Sequence, residues 1–397
     1  MALPVYQKLI FCVSAITAGW MGGLIHLCLA RTSVTSQNYP AQGYPLEEVA
    51  SFEKPMAPSG IAVSRSGRIF LSFPRHSVDH PGPVLGELKN GKVVPFPSQA
   101  MNPDDPQGDL SQVLVSVHGI TMDARDRLWV IDDGKRAGKM TLPGAVKVIG
   151  FDLNSGKIIG KVVFSSPALL PDSHFNDLRV DLTHGKAGTV LISDSSFGKS
   201  PALVVADLES GRAARRLVGH PSTSPLDGFM AVIEGHPYAY DPQQKPHFPR
   251  GGIDGVALSP DSQRLWFAPL TSRRLFSAPT SALADWNLSE KSLASMVVDE
   301  GEAGVTDSLT TDGEGHVYTT NHEQNAIFKR SGPHRFELIA KDERLLWPDS
   351  VAIGPSQCLY VTAHQSQRLP EFNDGIDLRL WPTRVFRICP RILRPSS

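Results

Sequence analysis

Apolar and polar residues alternate along this chain in short runs, and the runs come in pairs. Six segments repeat one order: a polar residue, a small or polar residue, an alternating apolar stretch, a turn, and a second apolar stretch. They are residues 59–63 with 68–71, 118–122 with 127–130, 176–180 with 189–192, 254–258 with 264–267, 307–311 with 316–319, and 349–353 with 358–361. Period-two alternation with β-branched and aromatic enrichment predicts strands. The linkers Ser64-Arg65-Ser66-Gly67 and Ser259-Pro260-Asp261-Ser262 predict tight turns, so each unit reads as a hairpin. The second position of the units falls at residues 60, 119, 177, 255, 308 and 350. Repeats of roughly 40–50 residues with four strands each are the signature of a propeller. Further strand candidates fill the intervals at 84–88, 147–153, 202–208, 275–278, 326–330 and 384–388. The expected fold class is all-β, a six-bladed β-propeller over residues 46–390.

The third unit positions are Ala62, Thr121, Arg179, Ala257, Thr310 and Ala352. Five are small, which suits blades packed face to face. Arg179 departs from the pattern. It reads either as a paired arginine at an edge or as a cation reaching the central site. The longest interval, between 177 and 255, holds few strand candidates, and such a loop in a compact domain is usually functional or mobile. It reads as a roof over one channel mouth or as a plain surface excursion.

Composition narrows the class. Of 397 residues, 41% are hydrophobic and 20% charged, which is enough apolar material for a large core and excludes wholesale disorder. Net charge is −1 and no long basic run occurs, so nucleic acid is not an expected partner. Residues 9–30 carry no formal charge and lie between Lys8 and Arg31. Residues 1–30 therefore read as a signal peptide or a membrane anchor, with a buried helix as the third reading. The first two export the rest of the chain to a periplasmic or secreted location, with membrane contact only through an uncleaved leader. Residues 31–45 read as a polar linker and 391–397 as a tail. Two of the four cysteines, Cys12 and Cys28, fall in the leader. Cys358 and Cys389 remain, either paired in an oxidising compartment or buried as free thiols.

The first unit positions carry the candidate chemistry. They are Ser59, His118, Asn176, Asp254, Asp307 and Asp349. Rotation about a propeller axis brings equivalent positions onto one ring. Asp, Asn and Ser are also common where a loop enters a strand, because they bond the local backbone. Oxygen donors of this kind suit one divalent cation, Ca²⁺, Mg²⁺, Mn²⁺ or, with a histidine, Zn²⁺. Without a cation the acids repel, and at least one pKa should rise. Asp132-Asp133, Asp194 and Asn321-His322-Glu323 follow second strands at the same end of their hairpins, where an outer shell would lie.

Several stretches resemble the yellow and major royal jelly protein family. They are Arg250-Gly251-Gly252-Ile253-Asp254-Gly255-Val256-Ala257-Leu258-Ser259-Pro260, Leu265-Trp266-Phe267-Ala268-Pro269-Leu270-Thr271-Ser272, and Asn176-Asp177-Leu178-Arg179-Val180-Asp181. The resemblance runs from about residue 46 to 390 and is nearest to bacterial members labelled dopachrome-tautomerase-related. It implies a secreted six-bladed propeller binding a small molecule at one channel mouth. A tautomerase would need an acid and a base within reach. The candidates are His118 with Asp254 or Asp307, and Asn176, Arg179, Asp349, Asn321 and His322 as ligand-binding groups. A more distant resemblance to gluconolactonase and regucalcin-like propellers implies a metal-dependent lactonase or esterase, with Asn176, Asp254 and Asp349 as metal ligands. A third reading is a non-catalytic scaffold.

Overall fold

The computed structural model describes residues 41–197, 200–240, 242–243 and 245–389. The leader, residues 1–30, and the tail, 391–397, lie outside the described residues. The rest is a six-bladed propeller. Among the described residues no helix is long and apolar enough to cross a membrane.

Each blade is a four-stranded antiparallel meander. The innermost strands are Ile61–Val63, Val117–Met122, Phe175–Asp181, Ile253–Leu258, Leu309–Thr311 and Pro348–Ile353. They neighbour one another in a closed circuit, the last against the first. Blades one to four run in chain order from the inside out. Blade five does the same and adds Gln42–Gly43 outside its fourth strand. That pairing gives strand structure to part of the stretch read from sequence as linker. Blade six is assembled from both ends of the propeller: Leu46–Phe52 supplies its outer strand, against Thr383–Ile388. Cys358 and Cys389 form a disulfide beside the neighbouring pair Leu359 and Ile388.

Local chemistry makes the hairpins. The residue opening the turn turns its own side-chain oxygen on the amides that follow. Ser64 Oγ accepts from the Arg68 amide, Asp123 Oδ1 from those of Arg125 and Arg127, Ser259 Oγ from that of Arg264, and Asp312 Oδ1 from those of Glu314 and His316. The apolar faces then pack blade on blade. Trp129, Ile131 and Val148 of blade two meet Leu178, Val190 and Val204 of blade three in one buried cluster.

The entry to each inner strand has its own geometry. Ladder pairing skips His118-Gly119, Asn176-Asp177, Asp254-Gly255 and Asp349-Ser350, a β-bulge at the same place in four blades. Bulges re-aim side chains. In four blades a hydroxyl on the second strand takes the amide of the second unit position. The pairs are Ser72 with Gly60, Ser193 with Asp177, Thr320 with Ser308, and Thr362 with Ser350. Glycine occupies the second position where the next blade presses closest. A Cβ on Gly119 would lie 2.4 Å from the Asn176 carbonyl oxygen, and one on Gly255 2.5 Å from that of Asp307.

Candidate functional site

The bulges bring the first positions to one mouth of the channel, and the ring divides by chemistry. Blades four, five and six contribute Asp254, Asp307 and Asp349, and their carboxyls share one electrostatic field with Asp177 of blade three. Burial, with Asp307, Asp349 and Asp177 as neighbours, holds the Asp254 carboxyl well above the usual carboxylate range. Burial does the same for Asp349, with Asp307 adding to it and Ser59 Oγ, 3.2 Å away, opposing it. Asp307 is pushed up to about 7. Burial drives it, the Trp347 indole holds it down and Asp177 raises it. Asp254 Oδ1 and Asp177 Oδ2 are buried without a hydrogen-bond partner.

Trp347 orders this side. Its Nε1 donates to Asp307 Oδ2 at 2.5 Å, and its ring stacks on His322 at 4.0 Å between centroids. Its φ of 51° lies in the left-handed region, where a bulky residue costs about 1–3 kcal/mol and sits only if its surroundings hold it there. The long excursion between blades three and four supplies those surroundings. Ala231 and Ile233 pack with Trp347, Tyr238 lies 5.1 Å from its ring, and the Val232 amide reaches Glu323 Oε1 of blade five. The excursion thus covers the acidic side of the mouth. Phe229, Tyr238 and Phe248 of the excursion line a small pocket with Leu270 and His322.

Blades one to three carry imidazoles instead. His76, His118 and His174 have ring centroids 4.9 to 5.2 Å apart. Asp133 Oδ2 lies 3.4 Å from His76 Nδ1 and 3.7 Å from His174 Nδ1. Burial and the nearby His76 lower the His118 pKa to about 3, so its ring is neutral. Asp133 is held well below the usual carboxylate range: burial opposes this, and the three histidines outweigh it. His364 joins the two sides, with Nδ1 3.5 Å from Asp349 Oδ2.

The sequence-derived candidates separate accordingly. Asp254, Asp307 and Asp349 come together, with His322 one stacked ring away. His118 sits with His76 and His174, and no contact joins it to the carboxylates. Asn176 lies in its bulge with its carbonyl against Gly119, and the carboxylate of its neighbour Asp177 adds to the field of the acids. Arg179 bonds Asp177 Oδ1 and reaches from blade three to the Leu309 carbonyl of blade five, a strut across the channel. Asn321 is spent on a turn, with Oδ1 accepting from the Gln324 amide. Asp132 and Asp194 are structural. Asp132 takes the Val115 and Ser116 amides and the Lys147 ammonium; Asp194 takes the His174 amide, Ser173 Oγ and Arg215. His76, His174, His364 and Trp347 lie outside the repeat positions, in the loops that flank them.

Known proteins place the chain. The model of the major royal jelly protein family matches residues 115–380. Major royal jelly protein 3 of Apis mellifera is 24% identical over 215 residues, covering 52% of this chain and 35% of that protein. Major royal jelly protein 5 of the same organism is 27% identical over 224 residues, 53% of this chain and 33% of that protein. The chain thus spans about a third of the length of these curated relatives. Among solved structures, a luciferin-regenerating enzyme matches with a TM-score of 0.52 and 14% identity, over 88% of this chain and 96% of that one. A calcium-binding regucalcin from Agrobacterium tumefaciens matches with a TM-score of 0.50 and 15% identity, over 86% and 93%. At such identities the likeness is one of fold.

Proposed function

The chain belongs to the major royal jelly protein family, and from that premise we propose that it binds a small aromatic molecule carrying a cationic amine on the acidic side of its channel. One observation carries the reading. Three carboxylates, Asp254, Asp307 and Asp349, share one field, Asp254 buried and the other two partly so, and Asp254 Oδ1 lacks a hydrogen-bond partner. An ammonium would answer that charge, since burying like charges without a counter-ion is costly. The aromatic residues of the roof offer the apolar surface that a ring needs. Asp307 would also carry any proton transfer in a dopachrome-type tautomerisation, because a group near pH 7 can both accept and return a proton. Arg179 and Trp347 would hold that side of the channel in shape. Export to an oxidising compartment belongs to the same proposal, and the Cys358–Cys389 disulfide supports it.

The test is a matched pair of probes in calorimetry, tyramine against 4-ethylphenol, which lacks the amine. Tyramine should bind and 4-ethylphenol should bind at least tenfold more weakly. Equal binding of the two would sink the reading. Loss of dopachrome absorbance, followed with and without the protein, tests the isomerase step.

A second reading rests on the same unpartnered oxygens. Asp254 and Asp349 are oxygen donors of the kind a hard divalent cation takes, and Asn176 is the amide oxygen of the same ring, so a bound ion would have to draw these groups together. Such an ion would supply Lewis acidity for opening a lactone or ester. Calcium that competes with tyramine would place both at these residues, and lactone hydrolysis dependent on calcium would favour this second reading.

A further inference from the structure

The histidine side of the mouth has no role in amine binding. His76 follows the second strand of blade one, His118 opens the inner strand of blade two, and His174 precedes that of blade three. Each offers one ring nitrogen, and the three lie within 4.8 Å of one another. His118 and His174 are buried and His76 is partly exposed. His76 Nδ1 and Asp133 Oδ2 face each other at 3.4 Å, while His118 Nδ1 is buried with no hydrogen-bond partner. Buried polar atoms are nearly always satisfied, and here an unpartnered ring nitrogen falls inside the histidine cluster.

We propose that His76, His118 and His174 bind a borderline divalent transition-metal ion, Zn²⁺ first, with Asp133 as its charge partner. Imidazole nitrogens select zinc over calcium and magnesium, which take oxygen. A tetrahedral site with Zn–N bonds of about 2.1 Å needs nitrogens roughly 3.4 Å apart, a spacing inside the 4.8 Å within which these three fall. Asp133 stands next to two of the three rings, where a carboxylate fixes ring orientation and raises ligand basicity. Its other oxygen is anchored by the Lys135 amide at 2.9 Å. Three protein ligands leave a fourth position open. His76 also lines a small pocket with Ser77, His80, His364 and Arg379, with room for about one water beside the site.

The full chain, stripped with EDTA and dialysed, should take up one equivalent of Zn²⁺ by calorimetry and elemental analysis. Co²⁺ in its place should give the visible absorption of a four-coordinate ion with nitrogen ligands. His76→Ala, at the least buried of the three rings, should weaken zinc binding at least 100-fold. Asp133→Asn should weaken it by roughly 10–100-fold. Asp254→Asn, on the acidic side, should leave it unchanged. Thermal melts in EDTA check that each variant folds. No stoichiometric zinc in the folded parent chain would overturn the proposal. So would undiminished zinc in folded His76→Ala, or zinc lost with Asp254→Asn and kept with His76→Ala.

Discussion

Blades one to three and blades four to six reach the channel mouth by the same backbone device and present opposite chemistry there. His118 and Asp254 each open an inner strand, and each is followed by a glycine over which the next blade closes. One is a neutral imidazole beside two others; the other is a carboxyl among carboxyls. The bulge sets where a side chain points, and the residue placed there is free to change blade by blade. A repeat in sequence thus marks positions, while the division of labour between the halves comes from residues off the repeat. Trp347 and the roof segment close over the acidic half, whereas His76, His174 and Asp133 complete the other.

The comparison breaks most sharply at Asp254. Asp254→Asn removes the unpartnered carboxylate, and tyramine affinity should fall on the order of 100-fold, because a buried charge pair loses one partner. The next effect is pH. If ionised Asp307 is required, its fraction rises from about one-tenth at pH 6 to nine-tenths at pH 8, so tyramine should bind about tenfold tighter at pH 8. Stability without ligand should run the other way. The folded pKa of Asp307 lies above the unfolded carboxylate value of ~3.9. Its contribution is therefore full below about pH 4 and lost as pH rises through about 7. Denaturant melts at pH 5 and 8 would show this, and Asp307→Asn should flatten the difference.

Gly119→Ala and Gly255→Ala sharpen the comparison at smaller cost. Each Cβ would meet the next blade's backbone, and each variant should lose about 1–3 kcal/mol. Gly255→Ala displaces the strand entry at Asp307 and should weaken tyramine. Gly119→Ala displaces that at Asn176 and Asp177, beside His174, and should weaken zinc. Equal effects of both variants on both ligands would mean that the halves are not independent. The smallest effect is expected for Trp347→Phe. It removes the bond that holds Asp307 down, and the midpoint of the tyramine pH profile should move up by less than about one unit.

All six hairpins were legible in the sequence, because alternation and turn chemistry are local. So were the third strands, which begin within a residue or two of the stretches at 84, 147, 202, 275, 326 and 384. Pairing across the ends was not. Leu46–Phe52 has a strand's pattern but no hairpin partner in sequence, and its ladder lies more than 330 residues away. The acids at 254, 307 and 349 were legible because they share a unit position. Asp177, next to Asn176 in one bulge, was not singled out, because the sequence does not show that its carboxylate shares the field of the acids. His76 and His174 gave only a weak signal, a histidine a few residues from a hairpin strand, and their meeting depends on the loops between strands. The roof showed as a long interval poor in strands, while its contact with Trp347 is tertiary.

The strand that closes the circle has a consequence for how the molecule is made. Leu46–Phe52 leaves the ribosome ahead of every blade, yet its partner Thr383–Ile388 is among the last segments synthesised. The first strand must wait, unpaired, while five blades take shape, and loop-closure entropy delays its docking until late. Final assembly is thus governed by a meeting of chain ends, and an interrupted synthesis leaves an open arc with two unpaired edges. The Cys358–Cys389 bond ties Leu359–Ala363 to Thr383–Ile388, so it firms the platform on which Leu46–Phe52 docks, while that docking itself is held by ladder bonds alone.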